Sequence, residues 1–295
     1  MSKIVCIGEC LVDVTPTKNG YENRIGGAPY NVCACVARLG GDGYYLGKLG
    51  GDKYADFLLE KISQSGVKTD YISIDKTLKT ALAYVALDDN GDRKFTFFRD
   101  NTADLNLKES DVSKVKFDSD DILHFCSVAL QGDSLYAHKR AIKQAKDGGA
   151  IVSFDVNIRQ NLWDSLDGCI ATIFGFLAYA DIVKVSEEEL ALLSSGESEK
   201  ELVANLLLKA TNCKLLVVTK GGEGAVAYDK NLNAVYSPAI KVSVKNTTGA
   251  GDNFMGAFLY KLSTDCILIE SATERQIKLL LDFANAHTAK YLANN

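Results

Sequence analysis

The 295-residue sequence has no basic run and no arginine-rich block, and its net charge is −5. Both features argue against a dedicated nucleic-acid binder. None of its eight cysteines forms a C-x-x-C pair, and His124, His138 and His287 are scattered without ligand spacing. A zinc site is therefore not expected. Several of the cysteines sit inside apolar segments and read as reduced, buried thiols of a cytosolic protein. Met1-Ser2-Lys3 runs straight into a short strand pattern at Ile4–Ile7, without the apolar core of a signal peptide. No apolar run is long enough to span a membrane. Cytoplasm is the resulting expectation. Internal repeats and low-complexity segments are also missing. The first strand–helix turn, Gly8-Glu9-Cys10-Leu11-Val12-Asp13, lacks G-x-G-x-x-G, which argues against a dinucleotide-dependent oxidoreductase on a doubly wound sheet.

What is present is an ordinary soluble composition, 47% hydrophobic and 24% charged, in a chain long enough to bury a substantial core. Short apolar runs at Ile4–Ile7, Gly43–Leu49, Asp121–Cys126, Ile151–Asp155, Ile182–Val185 and Leu215–Thr219 read as buried strands. Helical patterns lie between them, at Tyr30–Leu39, Tyr54–Ser65, Ser134–Lys146, Gly168–Ala180, Glu187–Leu193 and Lys200–Ala210. Two further helices, Asp252–Leu262 and Thr273–Leu292, finish the chain. The alternation predicts an α/β fold with a mostly parallel central sheet covered by helices on both faces. Tyr71–Arg99 breaks the rhythm. Two alternating runs flank Asp88-Asp89-Asn90-Gly91-Asp92, a hairpin signal. With an extended piece near Val12–Ile25, this predicts a small β-sheet inserted at about 14–24 and 68–100 of a single domain spanning 1–295. Such a sheet can close over a ligand as a lid. A dimerisation or purely structural sheet is the competing account.

The densest signal is Asn246-Thr247-Thr248-Gly249-Ala250-Gly251-Asp252, running into the apolar Phe254–Leu259. Glycines around an alanine at a helix start let backbone N–H groups converge on an anion such as a phosphate. No Gly-Lys-Ser/Thr follows, so this is not a Walker A loop. Asp252 would repel a phosphate, but it suits a base for a hydroxyl that attacks one. The pairing points to phosphoryl transfer to an alcohol. An ordinary loop capped by Asp252 is the alternative. A carboxylate at a helix start is expected to have a lowered pKa.

A second constellation stands near the N-terminus, Arg24-Ile25-Gly26-Gly27-Ala28-Pro29-Tyr30-Asn31-Val32. Gly27 lets backbone approach a ligand, Pro29 suits a first helical turn, and Asn31 can donate to and accept from a sugar hydroxyl. Asp13 follows the first strand, and open α/β sheets bind ligands beyond the carboxyl ends of their strands. It can grip two vicinal hydroxyls, or be a loop or cap aspartate.

Taken together, these segments resemble the PfkB, or ribokinase-like, carbohydrate kinases. Gly26-Gly27-Ala28-Pro29-Tyr30-Asn31 with Gly40, Gly47 and Gly50 is similar to the N-terminal signature, and Thr247–Asp252 to the C-terminal one. Phe98-Arg99-Asp100-Asn101-x-Ala103-Asp104 and Asp155-Val156-Asn157-Ile158-Arg159-x-x-Leu162-Trp163 most resemble the fructokinases. The resemblance covers nearly the whole chain in the correct order. It implies a three-layer αβα sandwich with a β-lid, and an ATP- and Mg²⁺-dependent kinase with a small-molecule sugar as partner, the lid allowing a homodimer. It assigns Asp252 as base, with Gly249, Ala250 and Gly251 as the anion hole. Asp13, Gly27 and Asn31 would hold the sugar, and Arg99 and Arg159 would contact sugar or phosphate. A structural salt bridge is the alternative for Arg159. Lys184, Ser186, Thr219, Gly221, Gly224 and Asn285 would lie toward the nucleotide, with Glu189 organising Mg²⁺ through water. The Thr219–Gly224 turn and a helix-surface Asn285 also have purely structural readings.

Two positions depart from the family pattern. Ser186 and Asn246 stand where many members have Asn and Asp, and the chain ends soon after its last helix. The Asn246 loop and a further C-terminal segment bind a monovalent cation in relatives, so activation by K⁺ is in doubt. Fructose, phosphorylated at its 6-hydroxyl, is the implied acceptor. A keto-deoxy acid such as 2-keto-3-deoxygluconate, ribose, a nucleoside and a sugar phosphate are alternatives, and a non-catalytic sugar-binding regulator is a third class.

Overall fold

The computed structural model describes residues 2–18, 20–87, 93–194, 196–244 and 246–294. The expected Asn90-Gly91 turn lies outside the described residues. The chain opens with β1 (Lys3–Ile7), β2 (Leu11–Thr17) and β3 (Gly20–Gly26), then α1 (Ala28–Arg38), β4 (Asp42–Leu49), α2 (Lys53–Gln64) and β5 (Lys68–Ile74). Next come β6 (Leu82–Leu87), β7 (Arg93–Phe98), a short α3 (Glu109–Val112), β8 (Ile122–Cys126), α4 (Gly132–Asp147) and β9 (Ile151–Asp155). The second half holds α5 (Leu166–Leu177), β10 (Ile182–Ser186), α6 (Glu187–Leu192), α7 (Glu199–Lys209), β11 (Leu215–Thr219), β12 (Gly224–Asp229), β13 (Ala234–Pro238), α8 (Ala250–Thr264) and α9 (Glu274–Asn294).

The main sheet has nine strands in the order β13-β12-β11-β10-β9-β8-β1-β4-β5. From β11 to β5 the neighbours pair in parallel, while β12 and β13 add an antiparallel edge. The short runs of β1 and β8–β11 are apolar on both faces because both faces are covered. One core packs α1, α2, α8 and α9 against the sheet, and the other packs α3 through α7. This is the expected αβα sandwich.

Strands β3-β2-β6-β7 form the separate small sheet. The expected boundary at 68 is corrected. Lys68–Ile74 pairs in parallel with β4, so it belongs to the main sheet. The cause is its connection: α2 carries the chain over from β4 and returns it as the next parallel strand. As an edge strand, β5 keeps half-exposed residues, which made it look unlike a core strand. The small sheet is thus built from Leu11–Thr17, Gly20–Gly26, Leu82–Leu87 and Arg93–Phe98. The β12–β13 hairpin was not expected.

Candidate active site

Beside the ends of β1, β9 and β10 and against the small sheet lies a cavity of about 630 Å³, lined by residues of both sheets and of α1 and α8. Its floor is the start of α8. Gly249 caps that helix with φ 78°, a left-handed conformation that costs a side-chain-bearing residue about 1–2 kcal/mol. A Cβ there would also press to 2.9 Å from the Tyr291 hydroxyl. The amide of Ala250 turns back to Thr247 O at 3.0 Å, whereas among the described residues no acceptor takes the amides of Gly251 and Asp252. Two orphan donors at the positive end of a 15-residue helix make an anion site. Of the three amides expected to form the anion hole, that of Ala250 is committed to Thr247 O, and the amide of Asp252 is open beside that of Gly251.

Asp252 sits in the first turn of α8 with 9% exposure and lines the cavity. Asn31 of α1 donates Nδ2 to its Oδ2 at 2.8 Å. Burial pushes its pKa up, the Asn31 bond pulls it back, Asp155 pushes it up further, and Arg159 and Lys184 oppose that; the net direction is upward. The expectation of a lowered pKa is corrected. Desolvation of the buried carboxylate is the largest cause.

Lys184, on β10, reaches under the floor, its Nζ 3.2 Å from where a Cβ on Gly251 would stand. It makes a buried ion pair with Asp155, at 3.0 and 3.1 Å. Burial lowers its pKa, but Asp155, Glu189 and Asp252 outweigh that and raise it, so Lys184 stays protonated within its ion pair. Arg159 also lines the cavity. Its Nη1 donates to its neighbour Ile158 O, and no carboxylate pairs with it among the described residues.

On the opposite wall, Asp13 and Arg24 face each other in register across β2 and β3. Both line the cavity. Asp13 is thus a strand residue of the small sheet rather than a loop residue of the body. Gly27 has φ 113°, and a Cβ on it would stand 2.4 Å from Glu9 O, so only glycine fits between α1 and the β1–β2 connection. Asn157, at φ 40°, and Asn161 complete this wall.

Other expected site residues fall elsewhere. Arg99 does not line the cavity. It is buried in an ion pair with Asp104, at 2.7 Å from Nε and 2.6 Å from Nη2, and donates to Val128 O. The guanidinium expected to contact sugar or phosphate is thus paired within the protein here. Thr219, Gly221 and Gly224 lie outside the lining. Ser186 and Thr219 end adjacent strands in register. At Gly224 a Cβ would meet Ser237 O at 2.1 Å, which gives that glycine a packing role in the β12–β13 hairpin. Asn285 is buried rather than on the helix surface, and its Nδ2 is spent on Ser237 O, Ser237 Oγ and Pro238 O. Those bonds tie α9 to the end of β13.

Ser186 caps α6, and Glu189 closes that capping box through Oε2 on the Ser186 amide at 2.8 Å. Its Oε1 takes the Ile158 amide at 2.7 Å. Glu189 lines the cavity with both oxygens already accepting bonds, which suits contact with a metal through water better than direct ligation. No group of three or more His, Cys, Asp or Glu residues able to hold a metal occurs among the described residues.

Several participants were missed in the sequence. Glu9 sits in the cavity wall with Oε1 accepting the Ala28 amide at 3.1 Å and Oε2 without a partner among the described residues. Its burial raises its pKa to about 7 against the pull of Arg99. Tyr291 of α9 donates to Thr248 O at 3.1 Å. For Glu9 the signal was its place two residues past the first strand; for Tyr291 there was none.

A cavity with a buried carboxylate, open helix-start amides, a fixed cation and a polar lid defines a phosphotransferase site. Comparison with known proteins agrees: residues 1–289 match the pfkB family carbohydrate kinases, and the chain belongs to that family. "Probable fructokinase-5" of Arabidopsis thaliana is 37% identical over 292 residues, covering 96% of this chain and 89% of that protein. The fructokinase of Vibrio cholerae O395, in apo form, superposes with a TM-score of 0.89 at 33% identity, over 99% of this chain and 98% of that one. The fructokinase of Xylella fastidiosa with bound ATP gives 0.89 at 32% identity, over 99% and 92%.

Proposed function

We propose that this protein is an ATP-dependent sugar kinase that transfers the γ-phosphoryl group to fructose, forming fructose 6-phosphate. The observation that carries the mechanism is the placement of the Asp252 carboxylate. It lies in the cavity wall, held by Asn31, one residue from the open amide of Gly251. The resemblance to fructokinases supports the choice of acceptor, and the ATP-bound Xylella protein supports the donor.

In this reading Asp13, Gly27 and Asn31 hold the sugar so that one hydroxyl lies against Asp252, which accepts its proton. The open amides, Lys184 and Arg159 stabilise negative charge on the transferring group, a preorganised electrostatic contribution. Magnesium, when bound with the nucleotide, neutralises phosphate oxygens, and Glu189 would hold it through water. The upward-shifted pKa of Asp252 strengthens it as a base, and the lid keeps water from replacing the sugar. Ser186, in the cavity lining, and the Thr219–Gly224 turn outside it are assigned to the nucleotide side.

The test is ADP release with ATP and Mg²⁺ over a panel of fructose, 2-keto-3-deoxygluconate, ribose, nucleosides and sugar phosphates, with sugar-free ATP as control. Saturable turnover with fructose supports the proposal. Turnover only with another acceptor keeps the chemistry and discards fructose.

A further inference from the structure

Asn253 follows the proposed base but does not line the cavity, and it is only 2% exposed. Its backbone N and its Nδ2 both donate to Gly249 O, at 2.9 Å each. Its Oδ1 accepts from Arg38 Nη2 at 2.9 Å. Cys35 Sγ reaches Asn253 O at 3.4 Å. Residues 31, 35 and 38 share one face of α1, so one helix face grips the first turn of α8 three times over. The contact is close because position 256 is glycine: a Cβ there would stand 2.5 Å from Cys35 Cβ.

The consequence lies in one peptide plane. A carbonyl oxygen has two lone pairs, and Asn253 fills both on Gly249. The peptide is planar, so pinning that oxygen also fixes the Ala250 N–H on its other side, where it meets Thr247 O. The turn before α8 is therefore set by protein groups before any ligand arrives, and the direction of the Gly251 and Asp252 amides is set with it. A buried amide side chain is costly unless both of its ends are paired, and here Arg38 and Gly249 pair them.

We propose that Arg38 and Asn253 form a positioning relay that locks the Gly249–Ala250 peptide and so aims the open amides of α8 at the transferring phosphoryl group. The proposal rests on the sugar-kinase reading of the cavity. Neither residue touches substrate; both act through Gly249.

The test uses the full chain. Asn253→Asp keeps shape and the acceptor for Arg38, but sets an oxygen against Gly249 O in place of the donor. Removing an aimed donor costs about 10²–10³ in kcat, and misaiming donors without removing them is expected to cost about 30-fold. Fructose affinity by calorimetry should stay within about twofold, because the sugar wall is untouched. Arg38→Ala should show the same signature more weakly, with Arg38→Lys restoring it. The double variant should be no slower than Asn253→Asp alone, as expected for groups acting in series. The relay is overturned if Asn253→Asp keeps kcat close to the parent's, if fructose affinity falls in step with kcat, or if the two changes add. Should Asn253→Asp fail to fold, Arg38→Ala decides alone, since Arg38 is exposed: unchanged kcat sinks the relay. A parent protein that turns over no acceptor refutes the kinase reading itself. An active parent with unaffected variants refutes only the relay.

Discussion

Asn31, in the first turn after the Gly26-Gly27 turn, donates its side-chain amide to Asp252, 221 residues later, at 2.8 Å. This bond joins the proposed sugar wall to the proposed base. It also opposes the rise in the Asp252 pKa that burial produces. Asn31→Ala removes that opposition, so Asp252 holds its proton to higher pH. The acid limb of the kcat/KM profile is expected to move upward, with part of the lost rate recovered in alkaline buffer. A pH–rate profile checks this, and an unmoved acid limb would show that Asp252 does not govern it.

Arg99 and Arg159, both candidates for ligand contact from the sequence, should separate by assay. Arg99→Ala strands Asp104, whose side chain is 1% exposed. Breaking a buried pair costs about 3–5 kcal/mol, so a large drop in melting temperature is expected. Arg159→Ala removes a cation that holds no ion pair among the described residues. It should leave the melting temperature unchanged and lower kcat/KM by about 100-fold. Melting curves and steady-state kinetics on both variants test this.

Glu9 gives a stability prediction. Burial raises its pKa from the ordinary 4.5 to about 7 in spite of Arg99, with Asp104 adding to the rise. Between those values the folded protein holds a proton that the unfolded chain releases, so Glu9 contributes stability below about pH 4.5 that is lost as pH rises through 7. At about 1.4 kcal/mol per unit, the loss is on the order of 3 kcal/mol. Glu9→Gln lacks this titration. Its melting temperature relative to the parent should therefore climb between pH 5 and pH 8, and a constant difference across that range would contradict the account.

The fold was largely legible in the sequence because its parallel strands are covered on both faces, which writes them as plain apolar runs such as Ile182–Val185. The edges were not. β5 is half-exposed, and β12–β13 follows a glycine-rich turn that drew a nucleotide-loop reading. At the site, contiguous motifs marked the anion loop, Asp252 and Asn31. Burial and pairing are three-dimensional properties and were not marked. Arg99 and Asn285 carry suitable chemistry but spend it on Asp104 and on Ser237. The direction of the Asp252 shift depends on desolvation by residues distant in sequence. Cys6, Cys10, Cys33, Cys35, Cys126, Cys169 and Cys213 do prove buried, as their apolar segments foretold, and Cys266 is exposed. No helix among the described residues is long and apolar enough to cross a membrane.

The central claim is that Asp252 is the base of a sugar kinase. The most direct measurement compares fructose-dependent ADP formation by the parent protein and by Asp252→Asn, with nucleotide binding followed by calorimetry. The account predicts saturable turnover in the parent, a fall in kcat of about 10²–10⁴ in the variant, and ATP affinity largely retained. Turnover in Asp252→Asn close to the parent rate would contradict it.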